Sequence, residues 1–204
     1  MDGVLAVFTR TRIVEEDPDA KVVARCKAGD TEAFSEIVDR YQTMVASVVA
    51  RSLRDPDDAA DVVQEVFVRA FRGLKSFRSE AKFSTWLYRI ALNTAMRQAG
   101  KVATDRKWRV EPDPDPESRD LLSSLPSDPD EAPDVVVWKQ MSHAGLREAV
   151  HGLPDKQREV VILHFFEGKT CDEIAEVLEI SVGTVWSRIH YAVKRLRGVL
   201  KDWA

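Results

Sequence analysis

Cysteine is scarce, histidine is scattered and no long apolar run exists; each absence removes a class of protein. Two cysteines among 204 residues, Cys26 and Cys171, leave no paired spacing for a zinc site and no disulfide framework. Cys26 falls on the apolar side of a predicted helix and reads as a small buried hydrophobe. Cys171 falls in the first turn of another, where the helix dipole lowers a thiol pKa. His143, His151, His164 and His190 fit no ligand spacing, so no metal is expected. There is no P-loop, no G-x-G-x-x-G and no nucleophile motif, which argues against an enzyme, a cofactor and a small-molecule substrate. No apolar stretch approaches the roughly 20 residues needed to span a bilayer. The opening "GVLAVF" is too short for a signal-peptide core and has no basic start. A cytoplasmic protein without membrane insertion is the expectation. Strand patterns of period two are also missing, leaving helical periodicity as the only regular signal.

Negative charge is missing from one place in particular. Residues 182–201, "VGTVWSRIHYAVKRLRGVLK", hold five Lys or Arg and no Asp or Glu, although the chain carries net charge -4. The acids are concentrated elsewhere. Residues 111–134 contain nine acidic residues, one arginine and six of the nine prolines, a net of -8 that leaves +4 for the rest. "EPDPDPES" cannot form an ordinary helix, because proline removes donors and restricts the residue before it. An acidic, extended linker over 110–135 is expected, joining mildly basic lobes at 19–109 and 136–204, with a tail at 1–18.

The first lobe reads as all-helical. Gly29 and Asp30 give a stop and an N-cap. Phe34, Ile37, Val38, Tyr41, Met44, Val45, Val48 and Val49 then recur at spacings of three and four. Asp55 is the expected cap of the next helix, with Pro56 at its first position. Its predicted buried stripe is Ala59, Val62, Val63, Val66, Phe67, Ala70 and Phe71, and a third helix is predicted over 84–99. On the polar side of the second helix Asp58, Asp61 and Glu65, with Gln64 beside them, form a largely negative strip. Such a strip suits a basic partner surface, although a solvated face is the commoner use of a charge run.

Residues 77–109 reverse the sign, with eight basic and two acidic residues. Phe83, Trp86 and Tyr88 are interleaved there with Arg78, Lys82 and Arg89. Aromatic faces beside cations suit single-stranded bases and their phosphates, whereas Phe83 reads as core. For Trp86 both readings stand at this point.

The second lobe is helical too. One helix ends near Gly152, another follows Pro154 and stops at Gly168, and Thr170 and Glu173 fit a capping box. Ser181 can cap a last helix whose Val182, Val185, Ile189, Val193 and Leu196 face inward. Two helices joined by a tight turn, the second basic outside, describe a helix-turn-helix. Thr184, Trp186, Ser187, Arg188, His190, Tyr191, Lys194 and Arg195 are predicted on its outer side, where no carboxylate repels phosphate; for Trp186, contact with DNA and packing back on the domain both stand at this point.

"AFSEIVDRYQTMV", "DDAADVVQEVFVRAF", "FRSEAKFSTWLYRIALNTA" and "LPDKQREVVILHFFEGKTCDEIAEVLEISVGTVWSRI" follow one another in this order. Together they resemble the group IV, or extracytoplasmic-function, bacterial sigma factors of the sigma-70 family, over about residues 20–100 and 138–200. The resemblance implies two helical domains, sigma region 2 and sigma region 4. It implies core RNA polymerase as partner, with the β′ clamp helices met by Asp58, Asp61, Gln64 and Glu65, and the β flap as a second contact. It implies −10 promoter reading by Arg78, Lys82, Trp86, Arg89 and Asn93, and −35 reading by the outer side of the last helix. It further implies an anti-sigma factor. Relatives commonly carry a basic residue where Trp186 stands, often another at Tyr191, and a glycine at Glu179. The linker is implied to thread the polymerase, either as a polyanion mimicking RNA or as a solubilising spacer. A response-regulator-like activator is the competing class, but it needs an α/β receiver that the helical first lobe does not offer.

Overall fold

The computed structural model describes residues 17–55, 57–105 and 143–201. The tail expected over 1–18 lies outside these apart from Asp17 and Pro18, as does the whole linker expected over 110–135. Every regular element among the described residues is helical. In the first lobe these are α1 (Ala20–Lys27), α2 (Ala33–Ser52), α3 (Ala59–Gly73), a 3-10 turn (Leu74–Ser76) and α4 (Phe83–Asp105). In the second they are α5 (His143–His151), α6 (Asp155–Val161) running into a π turn (Ile162–Phe166), α7 (Cys171–Leu178) and α8 (Val182–Lys201). No helix among the described residues is long and apolar enough to cross a membrane.

Local chemistry sets most of the boundaries. Gly29, at φ 101°, ends α1, and Asp30 Oδ1 accepts from the Ala33 N–H at 3.1 Å, so the expected cap operates. Asp55 works differently from the expectation. Its Oδ1 accepts from Asp57 N–H at 3.0 Å in an Asx turn, and the helix begins only at Ala59. The α4 helix extends past the predicted 84–99, because Gly100 keeps helical backbone and nothing breaks the run before Asp105. Thr170 and Glu173 form the capping box in full, with Glu173 N–H at 3.3 Å from Thr170 Oγ1 and Thr170 N–H at 2.9 Å from Glu173 Oε2. Such a cap contributes about 1 kcal/mol. Ser181 Oγ accepts from Thr184 N–H at 3.1 Å and opens α8. Glu179, at φ 56°, takes the left-handed bend between α7 and α8, a conformation costing about 1 kcal/mol or more for a residue with a Cβ.

The core of the first lobe lies where α2, α3 and α4 meet. Val45, Val48 and Val49 pack with Val66 and Ala70 and with Phe83, Leu87, Ala91 and Ala95. In the second lobe Val160, Leu163, Ile174, Val177, Val185 and Ile189 are buried, and they belong to the same contiguous apolar cluster as the first. Cys171 is buried, and burial raises its thiol pKa, against the lowering expected from the helix dipole. Cys26 is half-buried at the edge of the core.

The second lobe also buries a polar cluster. Arg158 donates from Nη1 to the His151 carbonyl at 3.0 Å and pairs with Asp155, closing the α5–α6 corner. His151 beside it is only 8% exposed, and its Nε2 has no hydrogen-bond partner within the protein. Burial, reinforced by the charges of Arg158, Arg54 and Arg147, lowers its pKa from 6.5 to about 4. Between those values the unfolded chain takes up a proton that the folded chain refuses. Stability is therefore full above pH 6.5, falls as pH drops towards 4 and levels below it. Denaturant unfolding at pH 7 and pH 5 should differ by about 1–2 kcal/mol from this group, and His151→Leu should flatten that part of the slope.

Candidate nucleic-acid and polymerase interface

Three surfaces carry the predicted residues. On α3, Val62, Val66, Phe67 and Ala70 turn inward. Asp61 and Gln64 are exposed, and Asp58 and Glu65 are half-buried. Glu65 is tied to Arg69 one turn on, at 2.6 Å. Phe71 does not lie in the buried stripe as expected; it is 45% exposed, and Val68 is 40% exposed. The reason is helical phase. Residues 61, 64, 65, 68 and 71 share one side at spacings of three and four, and that side points out. Phe71 keeps one edge-on contact, with Phe34, at 5.0 Å between ring centroids. The charged strip thus continues into an apolar end that residue type alone had assigned to the core. Alongside, Asp58, Asp61, Glu65 and Arg69 line an open groove whose other side is Thr94, Arg97 and Gln98 of α4.

The second surface is the start of α4 and the loop before it. Arg78 and Lys82 are exposed on the loop, where Ser79 adopts φ 57°, and Asn93 is exposed one face along the helix. Trp86 is half-buried, 5.1 Å from the Phe77 ring and 5.5 Å from the fully buried Phe83. Both readings of Trp86 are therefore partly met: one side packs and one side is open. Gly73 suits this arrangement, since a Cβ there would lie a tight 3.1 Å from Trp86 Cζ2. Arg89 departs from the expectation of a free cation. It pairs with Glu179 and donates to the carbonyls of Val177 and Glu176, each at 3.0 Å.

The third surface is α8. His190, Lys194 and Arg195 are exposed, and Thr184, Arg188 and Tyr191 are half-buried on the side away from Val185, Ile189, Ala192 and Leu196. Arg188 pulls against the burial that raises the pKa of Glu159, so the two charges are neighbours. Two of the predicted residues lie less far outward than expected. Ser187 is 5% exposed, its hydroxyl folded back to donate to the Thr184 carbonyl at 3.0 Å. Trp186 is half-buried and packed against the apolar core, not turned freely outward. Its ring is large enough to reach the core from the rim of the helix, which its position just before Ser187 and Arg188 concealed.

Family models described as "Sigma-70 region 2" and "Sigma-70, region 4" match residues 37–103 and 143–196. The ECF RNA polymerase sigma factor SigW of Bacillus subtilis is 36% identical, covering 89% of this chain and 96% of that protein. The RNA polymerase sigma-H factor of Pseudomonas aeruginosa is 34% identical, over 88% of this chain and 92% of the relative. The ECF RNA polymerase sigma-E factor of Escherichia coli is 36% identical, over 87% and 92%. Among solved structures, CnrH in complex with the cytosolic domain of CnrY has a TM-score of 0.64 at 26% identity, covering 91% of this chain and 99% of that one. The sigma factor RpoE of Bartonella quintana, solved with the anti-sigma factor NepR, shares the fold with a TM-score of 0.58 at 22% identity, covering 84% and 98%.

A methyl group at Gly73 asks Trp86 to shift by a few tenths of an ångström, and the Phe77 and Phe83 rings on its packed side oppose that shift. Gly73→Ala should lower the unfolding free energy by about 1 kcal/mol despite its better helix propensity, read as a fall in Tm on thermal unfolding.

Proposed function

Because the chain belongs to the extracytoplasmic-function RNA polymerase sigma factors of the sigma-70 family, we propose that it docks on core polymerase through the exposed strip of α3 and reads promoter DNA with both lobes. It is an alternative sigma factor that directs promoter-specific transcription initiation, a binding subunit and not an enzyme. The observation that carries the docking reading is the strip itself, acidic at Asp58, Asp61 and Glu65 and apolar at Val68 and Phe71. Acids steer a basic partner and fix register; exposed apolar side chains supply the affinity once water is excluded. The clamp helices of the β′ subunit are the partner that fits, with the β flap as a second contact for region 4.

Promoter opening needs no catalytic group. Bases flipped from the −10 element gain stacking and charge from Trp86, Arg78 and Lys82, with Asn93 able to read a base edge. The −35 element meets α8 through Thr184, Arg188, His190, Tyr191, Lys194 and Arg195. Ser187 and Trp186 stay out of this set because they serve the packing of α8. A stress or envelope response is the process in which we place this sigma factor. A protein covering these faces belongs to the same reading: CnrH was solved with CnrY, and RpoE with the anti-sigma factor NepR.

Two measurements test the proposal. Val68→Ser with Phe71→Ser should keep helix content and weaken capture by core polymerase about tenfold or more; undiminished capture would remove α3 from the interface. In the assembled holoenzyme, Lys194→Ala or Arg195→Ala should each lower the salt dependence of promoter binding by about one counterion, while Arg188→Ala should cost about 1–3 kcal/mol and relax the −35 preference.

A further inference from the structure

The two lobes are joined by a contact that spends residues from the surface proposed to read the −10 element. Arg89 sits on α4 between Trp86 and Asn93, on the same face. Its Nε and Nη2 donate to the carbonyls of Val177 and Glu176, each at 3.0 Å, and its Nη1 pairs with Glu179. Those carbonyls belong to the last turn of α7, where no intrahelical N–H remains for them and the dipole is negative. The guanidinium of one lobe thus caps a helix of the other. Glu179 N–H and Ile180 N–H both reach back to Ala175, which leaves the two later carbonyls to Arg89.

A second contact lies alongside. Glu167 accepts from Ser47 at 2.6 Å on α2 and from Tyr88 at 3.2 Å on α4. Lys169 stands 5.0 Å over the Tyr88 ring, and Arg51 stands 4.8 Å over the Phe166 ring. These bonds are polar and rim-like. The Glu179 side chain is 69% exposed and that of Arg89 29%, so the contact is screened by water and suited to opening.

From this geometry we infer that Glu179 and Glu167 form a latch by which the second lobe closes the −10 face of the first. The inference rests on α4 being a DNA-reading face. A glycine would take the left-handed bend at Glu179 without strain, so the side chain there has a use that the bend does not supply. In the closed form the guanidinium of Arg89 is spent on α7. In the open form it is free for phosphate or a base edge, as DNA and polymerase draw the lobes apart. A closed form that makes up most of the population reduces apparent DNA affinity by the fraction that is open.

The test uses the full chain and three variants: Glu179→Gly, Glu167→Gln and, as a control for charge alone, Asp172→Asn on the exposed start of α7. Small-angle X-ray scattering reads the radius of gyration. Fluorescence anisotropy reads binding to a labelled single-stranded DNA pool of random sequence. Both latch variants should expand the molecule and bind the pool about three- to tenfold more tightly, with Asp172→Asn unchanged in both. An unaltered radius in the latch variants, or an equal gain in affinity with Asp172→Asn, overturns the latch. Expansion without DNA binding by any form supports the latch and instead removes α4 from the DNA-reading surface.

Discussion

Everything in the first lobe depends on where α4 begins, and that is fixed by Phe83. The ring is fully buried, 5.8 Å from both Tyr41 and Phe77 and 5.5 Å from Trp86. Its N–H is held at 2.7 Å by Asp17, which also accepts from Asp19. Buried Asp19 in turn binds Arg40 and Tyr41 of α2. A donor at the first turn of a helix has no partner inside that helix, so the acidic residues before α1 complete it and tie three elements together. With α4 placed in this way, Leu87, Ala91 and Ala95 enter the core while Trp86, Arg89 and Asn93 share the side that leaves it.

That division explains how one helix serves packing and the second lobe and still leaves a face for the DNA-reading role proposed for it. The apolar cluster runs without a break from the first lobe into the second, which sets the two against each other. The polar bonds at its margin, around Glu167 and Glu179, engage Tyr88 and Arg89 of α4. Burial is non-directional and tolerates sliding; the guanidinium of Arg89 seated on two helix carbonyls does not, because its donors form a rigid fork. In the sequence the acidic bulk charge belongs to residues 111–134, outside the segments that form the helices.

The helices and the capping box at Thr170 were legible in the sequence because they follow from neighbouring residues; the turn at Glu179 was marked by the family resemblance, whose members commonly carry glycine there. The two-lobe arrangement followed from four ordered motifs. What escaped was set by tertiary phase or by long range. Phe71 looked like core because it is aromatic, yet the turn of α3 carries it outward beside Val68. Ser187 looked like a contact because it is polar on a basic helix, yet its hydroxyl is spent on its own backbone. Arg89 looked free because its partners are about ninety residues away. A stricter count of helical phase along α3 would have exposed Phe71; nothing local could have revealed the bonds of Arg89.

The central claim is that this chain confers promoter recognition only as a subunit of RNA polymerase. Footprinting tests it most directly: promoter DNA from a mapped start site is probed with the protein alone, with core polymerase alone and with both. The account predicts sequence-specific protection across the −35 and −10 elements, with opened bases near −10, only when both are present. Tight sequence-specific protection by the protein alone, unchanged by core polymerase, would contradict it.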